Sequence, residues 1–244
     1  MSVEITGPRI LFEIPILGGI RITETIFNGW IVILLVSFLA WFLTRNMVTK
    51  NPGKRQLAAE KIYSMLMNLV EGVMGKKWTG FAPYIGALFA YSMFGSLLSL
   101  TGLRSVTGDL STTGAMAILT TIMVIATNIR TNGVFGWLKS YTQPVALITP
   151  INIISEIANP VSMAFRHFGN IAAGIVITSL MYAALAAASN LILGWIPVEF
   201  IANIPILQVG LPAVLSIYFD LFTGFLQAYI ICMLTMVNVS GAGE

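Results

Sequence analysis

From Pro150 to Ser189 the chain runs almost without charge. As one helix this stretch would be ~60 Å long, about twice the ~30 Å hydrocarbon core of a bilayer. It must tilt strongly across a membrane, lie partly along it, or break. Inside it sits Arg166, the only Lys or Arg between Lys139 and the C-terminal residue. An arginine at mid-membrane depth costs roughly 2.5 to 3.5 kcal/mol on the insertion scale and more in simulation. Such a charge persists where a partner or an aqueous pathway lowers that cost. Two readings follow: a structural arginine that snorkels or pairs, or a fixed positive charge on an ion pathway.

Of the 244 residues, 57% are hydrophobic and only 9% charged, against about 25% charged in soluble domains. The chain reads as an all-α, polytopic membrane protein. Its net charge of +3 is concentrated in particular loops, which makes it a topology signal and not a nucleic-acid footprint. Cys232 is the only cysteine and His167 the only histidine. No intramolecular disulfide can form, and no structural zinc site, other metal site or cofactor is expected. The first 25 residues do not read as a cleavable signal peptide, because Glu13 interrupts the apolar stretch and no small-residue cleavage site follows.

Taken in order, the chain reads as one integral membrane domain, 1–244. Residues 1–24 form a short external segment broken up by Pro8, Pro15, Gly18 and Gly19. Residues 25–44 are the first span. Residues 55–75 carry Leu57, Ile62, Met65, Leu66, Leu69 and Val73 at helical spacing, the pattern of an amphipathic helix at an interface. The second and third spans occupy 81–130, and 150–239 holds a long helix pair joined by one loop, 190–205. The sequence thus predicts about five membrane-embedded helices, one amphipathic helix and a long, tilted C-terminal hairpin.

Between Arg45 and Lys77 there are seven Lys or Arg residues against two acids. The loop 130–149 carries Arg130 and Lys139, whereas loop 190–205 has Glu199 and no basic residue. The positive-inside rule then places the N-terminus outside and the C-terminus in the cytoplasm. No inverted internal repeat of the secondary-transporter kind is visible.

Within the long pair, Ser162, Arg166 and Asn170 are spaced i, i+4, i+8 and share one stripe. Glu156 lies ten residues before Arg166, roughly 80° away at 3.6 residues per turn. On the last segment Asp220 and Gln227 are seven apart and again share a face. Each has a plain reading: Ser162, Asn170 and Gln227 as interhelical hydrogen-bond glue worth ~0.6 kcal/mol or a little more, Asp220 as a static counter-ion of Arg166, Glu156 as an interfacial carboxylate. His167 cannot point in the direction of Arg166 on a regular helix and reads as a packing residue more readily than a ligand. Together the groups form two wet half-paths. Carboxylates and amides relay or coordinate ions there, and a permanently charged guanidinium separates the paths.

These residues resemble subunit a of the rotary F-type ATP synthase. The segment from Glu156 through Ile157, Ala158, Asn159, Pro160, Val161, Ser162, Met163, Ala164, Phe165, Arg166, His167, Phe168 and Gly169 to Asn170, followed by Ala173 and Gly174, looks like the arginine signature of that family. Val106 to Thr113 resembles its loop-to-helix motif, with Val106 where proline is usual, and Leu226 to Ile230 resembles its terminal glutamine motif. The resemblance covers essentially the whole chain. It implies that Arg166 faces the carboxylates of the c-ring. It implies that Asn170 and Gln227 lie near the ring contact and the external half-channel, and Ser162 and Glu156 toward the cytoplasmic one. It makes Asp109 a structural acid.

The chain departs from the family pattern in three more places. Ile175 stands where many bacterial members carry Glu, Asp220 where His or Glu is frequent, and His167 where Leu is usual. The external relay would then rest on Asp220, or on waters with His167.

The expected function is that of a stator subunit translocating ions, protons by default, in a bacterial plasma membrane, with no covalent chemistry of its own. Its expected partners are the c-ring, subunit b of the peripheral stalk, the remainder of the ATP synthase and the lipid bilayer. Gly169, Ala172, Ala173, Gly174 and the alanines between 183 and 188 supply the small residues that a ring contact needs. The rival is a self-contained secondary transporter or channel in which Arg166 binds an anionic substrate. A membrane scaffold is a third reading.

Overall fold

The computed structural model describes residues 8–15, 20–143, 145–193 and 218–243. It begins with an antiparallel hairpin, β1 (Ile10–Ile14) and β2 (Ile20–Thr23), in which Phe12 pairs with Ile22 and Glu13 with Arg21. The reading of 1–24 as a segment broken up by Pro and Gly missed these strands. Their signal was the alternation of Ile10, Phe12 and Ile14, the period of a pleated strand. An exposed ion pair, Arg21 Nε to Glu13 Oε1 at 2.8 Å, sits on the hairpin and adds little stability.

Six α-helices follow among the described residues, five of them belonging to segments long and apolar enough to cross a membrane. Helix α1 (Glu24–Thr44) keeps Val32 buried and leaves Trp30, Leu34, Phe38 and Trp41 exposed. At its end Arg45 lies 4.9 Å from the Trp41 ring, and Arg55 5.0 Å from Phe42. Aromatic rings capped by cations are typical of a membrane–water boundary.

Helix α2 (Lys54–Met74) is the amphipathic element. Its buried residues are Val70 and Met74, near its C-terminal end. Leu57, Ile62 and Met65, which the apolar stripe named, are exposed. The helix therefore docks by its last turns and presents the apolar face of its first half outward.

Helix α3 (Ala82–Leu97) starts with Pro83 in its first turn, where proline costs no hydrogen bond. Helix α4 (Leu110–Ser140) runs past the expected end of the third span, and Gly133 interrupts it at φ 70°, ψ 170°. Helix α5 (Thr149–Leu193) settles the question raised by the long apolar run. It is one helix of 45 residues, about 68 Å at 1.5 Å per residue, and it does not break. Pro160 lies within it. A π-helical turn, Tyr218–Thr223, leads into α6 (Gly224–Gly241). The loop with Glu199 and the first part of the last apolar segment fall outside the described residues.

Helix α5 packs along α4, and α6 against α3. The core between them is apolar: Ile85 on α3, Ala117 on α4, Met163 and Ala164 on α5, Cys232 and Met236 on α6, with Val70 of α2 at one edge. Cys232 is buried and free, and its Sγ–H donates to the Ile85 carbonyl at 3.7 Å, as expected of a small core residue.

Candidate functional site

Ser162, Arg166 and Asn170 do share one face of α5, and all three are exposed. Met163, Ala164 and His167, on the neighbouring face, are each buried. At about 100° per residue, Ala164 and His167 fall well outside the i, i+4, i+8 stripe, and Met163 borders it beside Asn170. No carboxylate among the described residues lies within ion-pair distance of Arg166. Around the arginine the exposed strip is lightly built. Ala173 is exposed, and a side-chain carbon added at Gly169 or Gly174 would meet nothing within 4 Å.

His167 takes the packing role its register foretold. It is 2% exposed, and its Nε2 shares a 3.3 Å hydrogen bond with Ser92 Oγ on α3. Ser92 belongs to a seam of hydroxyls that the sequence reading did not single out. Ser96 Oγ donates to the Ser92 carbonyl at 2.9 Å, so the 2.7 Å contact between Ser96 and Thr107 is made by the Thr107 hydroxyl donating. Ser105 stands 3.0 Å from Thr107. All four are buried; Ser96, Thr107 and Ser105 bond one another and Ser92 bonds His167, so each buried hydroxyl has a partner. Their signal in the sequence was the i, i+4, i+7 spacing of Ser92, Ser96 and Ser99 in an apolar span.

The seam opens into a small cavity. Ser96, Ser99 and Ser105 line one side, Asn170 and Ile175 the α5 side, and Thr223 closes it from the π-helical turn. Its volume of ≈ 20 Å³ is room for about one water molecule, and hydroxyls with an amide supply that water's partners. Asn170 thus joins the arginine stripe to a recess whose walls are mostly apolar, with three serines and a threonine among them. Ile175 contributes only an apolar wall.

The remaining described side chains are not among the walls of this recess. Gln227 on α6 is 3% exposed and is not among its walls. Asp220 falls in the π-helical turn, three residues before Thr223, and its side chain lies outside the described atoms. Glu156 is half-buried on α5, near Tyr141 at the end of α4. Burial first, and then the negative charge of Glu156, pushes the Tyr141 phenol above its usual range. Asp109 is structural: Oδ1 accepts from the Ser111 amide at 2.9 Å, capping α4. Among the described residues no three His, Cys, Asp or Glu side chains are grouped to hold a metal ion.

Residues 26–240 match the family model described as the ATP synthase A chain. The chain belongs to this family. Among its relatives, the sodium-ion-specific ATP synthase subunit a of Propionigenium modestum is 30% identical, over 98% of this chain and 86% of that protein. ATP synthase subunit a of Desulforamulus reducens is 33% identical over 89% of this chain and 78% of its own length. ATP synthase subunit a 1 of Crocosphaera subtropica is 33% identical over 91% and 87%. The protein is therefore an ion-translocating, multi-pass membrane subunit of an F-type ATP synthase, assembled with other subunits of that enzyme. The self-contained transporter and the inert scaffold give way to this membership.

Proposed function

We propose that Arg166 is the fixed charge that separates two ion half-channels and meets the carboxylates of a c-ring turning past the outer face of α5. The observation that carries this reading is the exposure of the whole Ser162–Arg166–Asn170 stripe on a helix that is packed at this level through Met163, Ala164 and His167. A guanidinium held out of the bundle, with no carboxylate partner among the described residues, is available to a partner that moves. It stays protonated, because its pKa exceeds about 12, and it favours ionisation of a ring carboxylate that comes near it. The open space at Gly169 and Gly174 suits close approach of another helix.

The recess at Asn170 is the inner part of the external half-channel in this reading, and Asp220 belongs to its approach. Ser162 and Glu156 serve the cytoplasmic half-channel. Gln227 supports the α6 side from within the bundle. His167 takes no part as an ion ligand. The N-terminus is outside and the C-terminus cytoplasmic in a bacterial plasma membrane, a reading that the basic loops support. Subunit b of the peripheral stalk holds the chain against rotation.

The coupling ion is the proton. Sodium is the second reading, favoured by the sodium-specific relative from Propionigenium modestum.

ATP-driven ion uptake into vesicles carrying the assembled enzyme tests the central assignment. Arg166→Ala is expected to assemble and not to pump. Normal coupled pumping by that variant would return Arg166 to a structural charge. A pH-gradient dye and radiolabelled sodium, run in parallel on the unaltered enzyme, decide between the two ions.

A further inference from the structure

We propose that His167 is a positioning residue for Arg166: its bond to Ser92 fixes the rotation of α5 so that the guanidinium faces out of the bundle. This deepens the assignment of Arg166 made above and rests on it.

Successive residues on a helix are about 100° apart. Whatever holds His167 inward therefore holds Arg166 outward. The inward face at this level is Met163, Ala164 and His167. Methionine and alanine pack without direction, and a methionine side chain adapts to small rotations. The imidazole is the one group of the three with a directional bond, Nε2 to Ser92 Oγ at 3.3 Å. Its Nδ1 is buried without a hydrogen-bond partner among the described residues, so Ser92 is the ring's one polar tie there.

The helix needs such a tie close to the arginine. Pro160, six residues earlier, has no N–H to give the carbonyl of Glu156, and its ring crowds that carbonyl. The backbone ladder of α5 is thus weakened less than two turns before Arg166. No ion pair among the described residues restrains the guanidinium itself. A single buried polar contact is a known means of selecting one packing register from several apolar ones. Ser92 is well placed to be the fixed end. It is fully buried on α3, and Ser96 and Thr107 brace the same stretch of that helix.

The test uses the whole enzyme in vesicles and reads ATP-driven ion uptake per assembled complex. His167→Leu and Ser92→Ala are each expected to lower uptake per complex several-fold. The double variant should be no worse than the weaker single one, because both changes remove the same bond. His167→Gln should recover most of the loss, since its amide reaches the position of Nε2. A fall in the amount of complex with normal uptake per complex would overturn the proposal and leave His167 a packing residue. Should His167→Leu fail to assemble, Ser92→Ala decides, and normal uptake by that variant overturns the proposal equally. Arg166→Ala run alongside separates the two levels. If it pumps normally, the assignment of Arg166 fails. If it is blocked while His167→Leu pumps normally, only the positioning role fails.

Discussion

Thr25 donates a 2.6 Å hydrogen bond to Oδ2 of Asp109, which lies eighty-four positions further along the chain. The other oxygen of that carboxylate caps α4 through the Ser111 amide. One side chain thus ties the start of α1 to the start of α4. Asn28, one turn further along α1, donates to the Arg104 carbonyl at 2.9 Å and secures the same loop. Both contacts place loop 101–109 beside α1 and hold the wall from which Ser105 faces the recess.

This makes Asp109 a stability residue, and a variant separates that from translocation. Loss of a cap costs ~0.5–2 kcal/mol, and loss of a bond to a charged acceptor roughly 1.5–3 kcal/mol. Asp109→Ala is expected to lower the thermal midpoint of the purified complex clearly. Asp109→Asn, which still caps, should lower it less. Uptake per assembled complex should be unchanged in both. A stable Asp109→Ala complex that fails to pump would contradict the structural role.

The sequence made some of these relationships readable and hid others for physical reasons. The face shared by Ser162, Arg166 and Asn170 follows from spacing on one helix, and it held. So did the inward direction of His167. Its partner Ser92 was not readable, because spacing gives a direction and not what stands in that direction seventy-five positions away. The fate of the 150–189 run depended on whether Pro160 would end the helix. Proline weakens one rung of the ladder, and packing of α5 along α4 carries the helix through it. The hairpin was not readable because Leu11 blurs the alternation of Ile10, Phe12 and Ile14, and the breakers Pro15, Gly18 and Gly19 follow it closely. The recess was hidden because its walls come from α3, the following loop, α5 and the turn before α6.

Gly133 and Gly114, both on α4, should respond in opposite ways to alanine. Gly133 has φ 70°, ψ 170°, a region that is essentially glycine's own and costs other residues about 1–3 kcal/mol. Gly114 is helical, and an added Cβ there meets nothing within 4 Å. Alanine at such a position gains up to about 1 kcal/mol from the lost freedom of glycine. Thermal unfolding of the purified complex should therefore show Gly133→Ala destabilised and Gly114→Ala unchanged or stabilised. Equal effects at the two sites would mean that the interruption of α4 is not held by its glycine.

Gly224 lets α6 come close to α3. A Cβ built there would stand 2.9 Å from Ser96 Cβ, and Ser96 is buried with its hydroxyl committed to the seam. Gly224→Val must push the helices apart or force the serine out of place. Overpacking of this kind costs typically 1–3 kcal/mol. Here it also widens the recess that Thr223 lines together with the serines. The variant is expected to lower both the yield of assembled complex and uptake per complex. Ser96→Gly should restore the yield by making room, while leaving uptake low, because the Ser96 hydroxyl is gone from the seam. Recovery of both by Ser96→Gly would show that the hydroxyl is dispensable and that only the spacing of the helices matters. Recovery of neither would show that the valine acts at some place other than the contact with Ser96.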